Sequence, residues 1–256
     1  MDNAIETSGG KRGFSLNGNQ LKLIAILAMT VDHLTWTLFP GYQHVAWIIC
    51  IHIIGRLTAP IMWFFIAEGC FYTHDRKRYL IRLFAFALIS HFAYDFAFGI
   101  PFFSPSAGMF NRTSVMWSLA LGASVIFITQ SEKIPTVWKY VCALGACVLA
   151  FPSDWSSVAV MAPAYLYSHR GNIKKQAFDI VFWTFIYAAV YFFFLDKVYG
   201  LLQLFTCLSV PLLACYNGQR GKNKSMKWFF YYYYPAHLAA LGVLRLLLHG
   251  NVPTIF

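Results

Sequence analysis

LKLIAILAMTVDHLTWTLF, residues 21 to 39, carries one lysine at its start and a single acidic group, in the pair Asp32-His33, well inside an otherwise apolar run. As a helix rising about 1.5 Å per residue it would cover roughly 28 Å, close to the ~30 Å hydrocarbon core of a bilayer. Comparable runs follow at about 46–73, 79–98, 113–130, 137–151, 155–168, 175–195, 198–215 and 228–249. The pattern predicts an all-α, polytopic membrane helix bundle of about nine transmembrane helices, eight to ten at the limits. The fifth and sixth runs are short, and Phe151-Pro152-Ser153-Asp154 between them reads as a tight turn or a re-entrant tip. In the long second run, Gly55 followed by Thr58-Ala59-Pro60 offers a place for the helix to break.

The whole chain agrees with this stretch. Of 256 residues 59% are hydrophobic and 12% charged, with a mean hydropathy of +0.55, whereas soluble domains run roughly 45–50% apolar and about 25% charged. That balance excludes a soluble globular domain, a disordered chain and a collagen or disulfide scaffold. The 25 Phe, 15 Tyr and 8 Trp suit lipid-facing surfaces and interfacial belts. Cys50, Cys70, Cys142, Cys147, Cys207 and Cys215 all lie in apolar runs without metal-ligand spacing, so they read as small hydrophobes and no metal is expected.

Twenty Lys and Arg against ten Asp and Glu give a net charge of +10, but the basic residues sit between apolar runs, which points to membrane orientation rather than nucleic acid. Sixteen of the twenty fall in alternate connections, among them Arg76-Lys77-Arg78-Arg82 and Arg170-Lys174-Lys175. The positive-inside rule then predicts a cytoplasmic N-terminus and an outer C-terminus. Residues 1–20 are polar and lack an apolar signal core, so they read as a cytoplasmic N-terminal segment with no cleavable signal peptide. Residues 21–256 show no repeat or linker and read as a single transmembrane domain.

Function is sought where hydrocarbon should not tolerate the side chain: Asp32, His33, Arg56, Glu68, His91, Asp95 and His237. Each unpaired charge at mid-bilayer costs about 2.5–3.5 kcal/mol on insertion scales, so such groups are paired or face a wet cavity. Arg56 is the expected partner of Asp32, and His91 with Asp95, at i and i+4, can pair along one helix face. The predicted directions place all of these from mid-membrane outward except Glu68, which lies toward the cytoplasm. In FYYYYPAHL, residues 230 to 238, Pro235 frees the Tyr231 carbonyl one turn earlier, next to Tyr234 and His237.

The segments LKLIAILAMTVDHL (Leu21 to Leu34), IGRLTAPIMWFFIAEG (Ile54 to Gly69), HFAYDFAFG (His91 to Gly99), SDWSSVAVMAPAYLY (Ser153 to Tyr167) and FYYYYPAHLAALGVL (Phe230 to Leu244) resemble the TraX family of membrane proteins. The family's best-known member acetylates the N-terminus of conjugative F pilin, and this short, nearly all-membrane form looks like the chromosomal members of Gram-positive bacteria. The resemblance implies a transmembrane acetyltransferase of the bacterial cytoplasmic membrane. Acetyl-CoA would be its donor, drawn from the cytosol, and an amine (a peptide or pilin-like N-terminus) or a hydroxyl of an envelope component its acceptor.

Acyl transfer needs a base and an oxyanion donor. His33 is the expected base or acyl carrier, with His237 second and Asp32 orienting a partner. Arg56 and Tyr234 would face the oxyanion, with Glu68, His91 and Asp95 around the substrate. Arg76, Lys77, Arg78, Arg82, Lys174 and Lys175 would attract the phosphates of CoA. The same buried ionisable groups would also serve a proton-coupled transporter, though no repeated halves are visible, or a non-catalytic membrane scaffold.

Overall fold

The computed structural model describes residues 15–101, 112–223, 225–250 and 252–253. These form α1 (Gly18–Leu38), α2 (Ala46–Gly55), α3 (Thr58–Tyr72), α4 (Arg76–Phe98), α5 (Val115–Thr129), α6 (Thr136–Ala150), α7 (Val158–Ser168), α8 (Ile173–Phe194), α9 (Lys197–Gln203), a 3-10 turn (Leu204–Leu208), α10 (Ser209–Ala214) and α11 (Met226–His249). Two of the expected runs are interrupted. The second breaks into α2 and α3 at Arg56-Leu57, beside Gly55, and the eighth is divided among α9, the 3-10 turn and α10. Five stretches of the described residues, α2–α3 and α9–α10 each counted as one, are long and apolar enough to cross a membrane. The protein is a multi-pass helical membrane bundle.

Local chemistry sets several helix ends. Asn17 and Gln20 form a capping box on α1, the Asn17 side chain accepting from the Gln20 amide at 3.1 Å and the Gln20 side chain from the Asn17 amide at 2.9 Å. Asp75 and Asn172 cap α4 and α8 in the same sense. α4 stops at Gly99, whose φ of 72° is natural only without a Cβ.

α1 packs on α2, α3 and α11; α4 lies between α5 and α11; α7 fills the space against α3, α5 and α8. Trp63, Tyr94, Phe98, Leu83 and Leu119 are buried at the centre. The outer surface is apolar as well: Val137, Trp138, Tyr140, Leu144 and Val148 on α6, and Phe178, Phe185, Phe193 and Phe194 on α8, are exposed, as a lipid-facing surface should be.

The connections gather on two opposite faces. On one, the segment after α10 is tied to the start of α1 by Leu16 N–H to Cys215 carbonyl at 2.8 Å and Gly18 N–H to Gln219 carbonyl at 2.8 Å, and Arg170 reaches Glu68 and Tyr72. On the other, Tyr199 donates to the Gln43 carbonyl, His44 meets Asp196, Arg112 and Thr113 meet Pro152 and Asp154, and His249 meets the Thr37 carbonyl. The first is the basic face, since Lys22, Arg76, Lys77, Arg78, Arg82, Arg170, Arg220 and Lys227 lie at or near it.

Candidate functional site

Two cavities lie end to end along the bundle. A chamber of about 110 Å³ is walled by α1, the end of α2, α3, α4, α5, α8, α9 and α11 and by the turn before α7; Asp32, His33, Arg56, Asp154 and Tyr234 are among its lining residues. A vestibule of about 500 Å³ lies at the basic face and is lined by Lys22, Glu68, Arg82, Arg220 and Lys227, among others. Met62, Met116, Leu119 and Phe230 line both, so these four side chains are the partition between them.

The helix break brings the chamber's charges together. At the C-terminal end of α2, Gly55 packs so closely on α1 that a Cβ there would strike the Asp32 side chain. The following residue, Arg56, gives both Asp32 oxygens a hydrogen bond from Nη2 at 2.9 Å. Its Nε donates to the His52 carbonyl at 3.2 Å and its Nη1 to Gln203 Oε1, on α9, at 3.2 Å. His52, fully buried one turn before Arg56, meets Asp32 Oδ1 through Nδ1 at 2.8 Å. The expected Asp32–Arg56 pair is thus extended by His52 and Gln203. His52 escaped the sequence reading, although its place four residues before Arg56 puts it on the same helix face.

His33 points to a second partner. Its Nδ1 lies 2.9 Å from His237 Nε2, and His237 Nδ1 lies 3.2 Å from the Tyr233 carbonyl. A carbonyl only accepts, so in neutral His237 the proton sits on Nδ1, and Nε2 presents a lone pair. His33 must then donate through Nδ1, which in the neutral ring leaves His33 Nε2 unprotonated. Of the two histidines His33 lines the chamber. Tyr233 stacks on His237 with ring centroids 5.4 Å apart and shares a 2.8 Å hydrogen bond with Thr30. Tyr234 lines the chamber too; its buried hydroxyl lies near Ser114 and the Val115 amide without a well-formed hydrogen bond to either.

The other residues singled out in the sequence lie elsewhere. His91 and Asp95 approach each other at 3.6 Å, and His91 also meets Thr113 Oγ1 at 3.1 Å. Neither lines the chamber; their helix contributes Tyr94 and Phe98 instead. Glu68 lines the vestibule, held by Arg170 through bonds of 2.7 and 3.2 Å. Burial, assisted by the Glu68 carboxylate, pushes the nearby Tyr216 hydroxyl up to about 12, so it remains a neutral donor on the vestibule wall. Of Arg76, Lys77, Arg78, Arg82, Lys174 and Lys175, Arg82 lines a cavity and the other five are solvent-exposed. Lys22, Arg220 and Lys227 line it where the sequence suggested no site. Among the described residues no cluster of His, Cys, Asp and Glu could hold a metal ion.

Comparison with known proteins adds the following. Residues 17–245 match the family described as TraX protein. The chain is 27% identical over 252 residues to the probable fimbrial assembly protein FimC, serogroup H1, of Dichelobacter nodosus, which covers 93% of this chain and 99% of that relative. It is 21% identical over 179 residues to the uncharacterized protein RP591 of Rickettsia prowazekii (strain Madrid E), covering 67% of this chain and 64% of the other. No solved structure matches.

Proposed function

Because the chain belongs to the TraX family, we propose that it is an acetyltransferase of the bacterial cytoplasmic membrane, moving an acetyl group from cytosolic acetyl-CoA to an amine or hydroxyl acceptor. The observation that carries this reading is a base at the end of a basic passage. An unprotonated imidazole nitrogen, His33 Nε2, belongs to a chamber separated from a cationic vestibule by four apolar side chains.

In this reading the basic face is cytosolic and the N-terminus lies there. The CoA phosphates sit among Lys22, Arg82, Arg220 and Lys227 in the vestibule. Glu68, the carboxylate on that wall, is neutralised by Arg170 and does not repel them. The thioester arm passes between Met62, Met116, Leu119 and Phe230 and delivers the acetyl carbonyl to the chamber. The acceptor enters from the opposite face, and the relative named for fimbrial assembly favours a pilin-like N-terminus or another envelope component as that acceptor.

His33 Nε2 takes a proton from the acceptor as its nitrogen or oxygen attacks the carbonyl carbon. The C–S bond then breaks, and the same proton passes to the leaving sulfur of CoA. The positive charge formed on His33 is shared through its Nδ1 with His237. Tyr234, whose hydroxyl lacks a well-formed partner, supplies a donor for the oxyanion. Arg56, engaged with Asp32, orders the wall of the chamber.

The test is radiolabelled acetyl-CoA with the purified full chain and a peptide bearing a free N-terminus. Wild type transfers the label, and His33→Ala lowers the rate by about 100-fold or more, the usual contribution of a positioned base. Full transfer by His33→Ala would refute the assignment.

A further inference from the structure

Among the described residues that line the chamber there are two carboxylates, Asp32 and Asp154, and one guanidinium, Arg56. Asp32 and Arg56 neutralise each other, and all three guanidinium nitrogens of Arg56 are engaged, by His52, Gln203 and Asp32. A second carboxylate, Asp154, lines the same chamber, and none of the ion pairs among the described residues includes it. The adjacent backbone N–H of Trp155 lies near its carboxylate. Arg56 lies near enough to act on Asp154 and sits 5.9 Å from the centre of the Trp155 ring, so two carboxylates share one guanidinium; a half-buried carboxylate without an ion pair of its own favours a positively charged occupant.

Asp154 is held there by a strained and well-braced turn. Trp155 and Ser156 adopt φ of 61° and 45°, a left-handed conformation costing about 1–3 kcal/mol for a residue with a side chain. Packing fixes it: Trp155 stacks on Tyr187 with centroids 4.4 Å apart and meets Trp63 edge-on at 5.3 Å. The Asp154 amide donates to the Thr113 carbonyl at 2.9 Å. Tyr94, Tyr191, Trp155 and Tyr234 line the chamber as well, giving the carboxylate an aromatic surround. Aromatic faces and an unmatched carboxylate are the usual surroundings of a bound organic cation. At about 110 Å³ the space suits a small head group rather than a long chain.

We infer that Asp154 and these aromatic rings form an ammonium seat, in which the acceptor binds as R–NH3+ through its terminal amine. A hydroxyl acceptor brings no charge to this seat and is disfavoured. The chemistry that follows rests on the acetyl-transfer reading; the binding does not. The seated ammonium releases one proton to water and becomes R–NH2. As its nitrogen bonds to the acetyl carbon it gives a second proton to His33, which returns it to the CoA sulfur when the C–S bond breaks. R–NH3+ and acetyl-CoA thereby yield the amide, CoA and one released proton.

The experiment compares alaninamide with lactamide, its analogue bearing a hydroxyl in place of the ammonium, by titrating each against the thermal stability of the full chain in detergent. Wild type should bind alaninamide at least about tenfold more tightly than lactamide, and Asp154→Asn should weaken alaninamide by at least about tenfold while moving lactamide by less than about twofold. Equal binding of the two compounds by wild type, or undiminished alaninamide binding by Asp154→Asn, overturns the seat. If Asp154→Asn does not fold, Asp154→Glu decides: retained preference for alaninamide supports the seat, and loss of that preference refutes it. Selective alaninamide binding without acetyl transfer leaves the seat standing and refutes the catalytic reading; transfer to an amine that is indifferent to Asp154→Asn does the reverse.

Discussion

Replacing Arg56 with methionine keeps the bulk of the side chain and removes its charge, leaving buried Asp32 with His52 as its remaining partner. Two unit charges about 4 Å apart attract by about 4 kcal/mol at an effective dielectric constant near 20. Removing one member of a buried pair costs about 3–5 kcal/mol, because the other charge is stranded. In a chain of this size each kcal/mol moves the melting temperature by about 2–4 °C, so Arg56→Met should melt about 6–20 °C lower than wild type. Asp32→Asn strands the guanidinium and should fall in the same range. The double variant strands neither charge. The bonds from Arg56 to the His52 carbonyl and to Gln203 are lost equally in Arg56→Met and in the double variant, so they cancel in the cycle. The coupling that remains should be about 2 kcal/mol or more. Fluorescence-detected size-exclusion melting of the four proteins in one detergent measures it. If the double variant is destabilised by the sum of the two single effects, the pair contributes no coupling and the argument that it organises the chamber is wrong.

Two further outcomes follow from the geometry. Gly55→Ala places a methyl group against the Asp32 side chain and should cost about 1–3 kcal/mol by overpacking; a melting temperature at or above wild type would show that α1 and α2 are not in close contact there. Met62→Trp fills the partition between vestibule and chamber, so acetyl transfer should fall by about tenfold or more while acetyl-CoA binding, measured by equilibrium dialysis, stays within about threefold. Unchanged transfer would mean that the donor does not pass that way.

Much of the fold can be read from the chain because hydrocarbon imposes two plain demands: apolar runs of sufficient length and helical backbone throughout them. The runs ending near Leu38, Phe98 and His249 follow from that alone, and Gly55 with Pro60 announces the break between α2 and α3. The Asp32–Arg56 pair is legible for a related reason, since two opposite charges in apolar helices seek each other. His52 was harder to see. In a helix apolar on every side, hydropathy does not mark which face turns inward, and the one sequence signal for His52 is its place four residues before Arg56. Asp154 was obscured differently: Phe151-Pro152-Ser153-Asp154 reads equally as a tight turn or a re-entrant tip, and its inward direction depends on Trp155 packing against Trp63 and Tyr187 from distant helices. The vestibule shows the same limit, because a cluster such as Arg76-Lys77-Arg78 reveals charge but not direction, while Lys22, Arg220 and Lys227 meet through folding.

The shortness of two neighbouring helices bears on how anything reaches the chamber from the side away from the basic face. α6 has 15 residues and α7 has 11, so at about 1.5 Å per residue they rise roughly 22 and 16 Å, well short of a ~30 Å hydrocarbon slab. If both extend from the basic face's side of the bilayer, the turn that joins them, with Asp154 in it, would lie below the level of the lipid head groups. Lipid beside it must thin or give way to water, each ångström of mismatch costing a fraction of a kcal/mol. On the proposed reading, such thinning would shorten the path by which the polar end of an acceptor reaches the carboxylate.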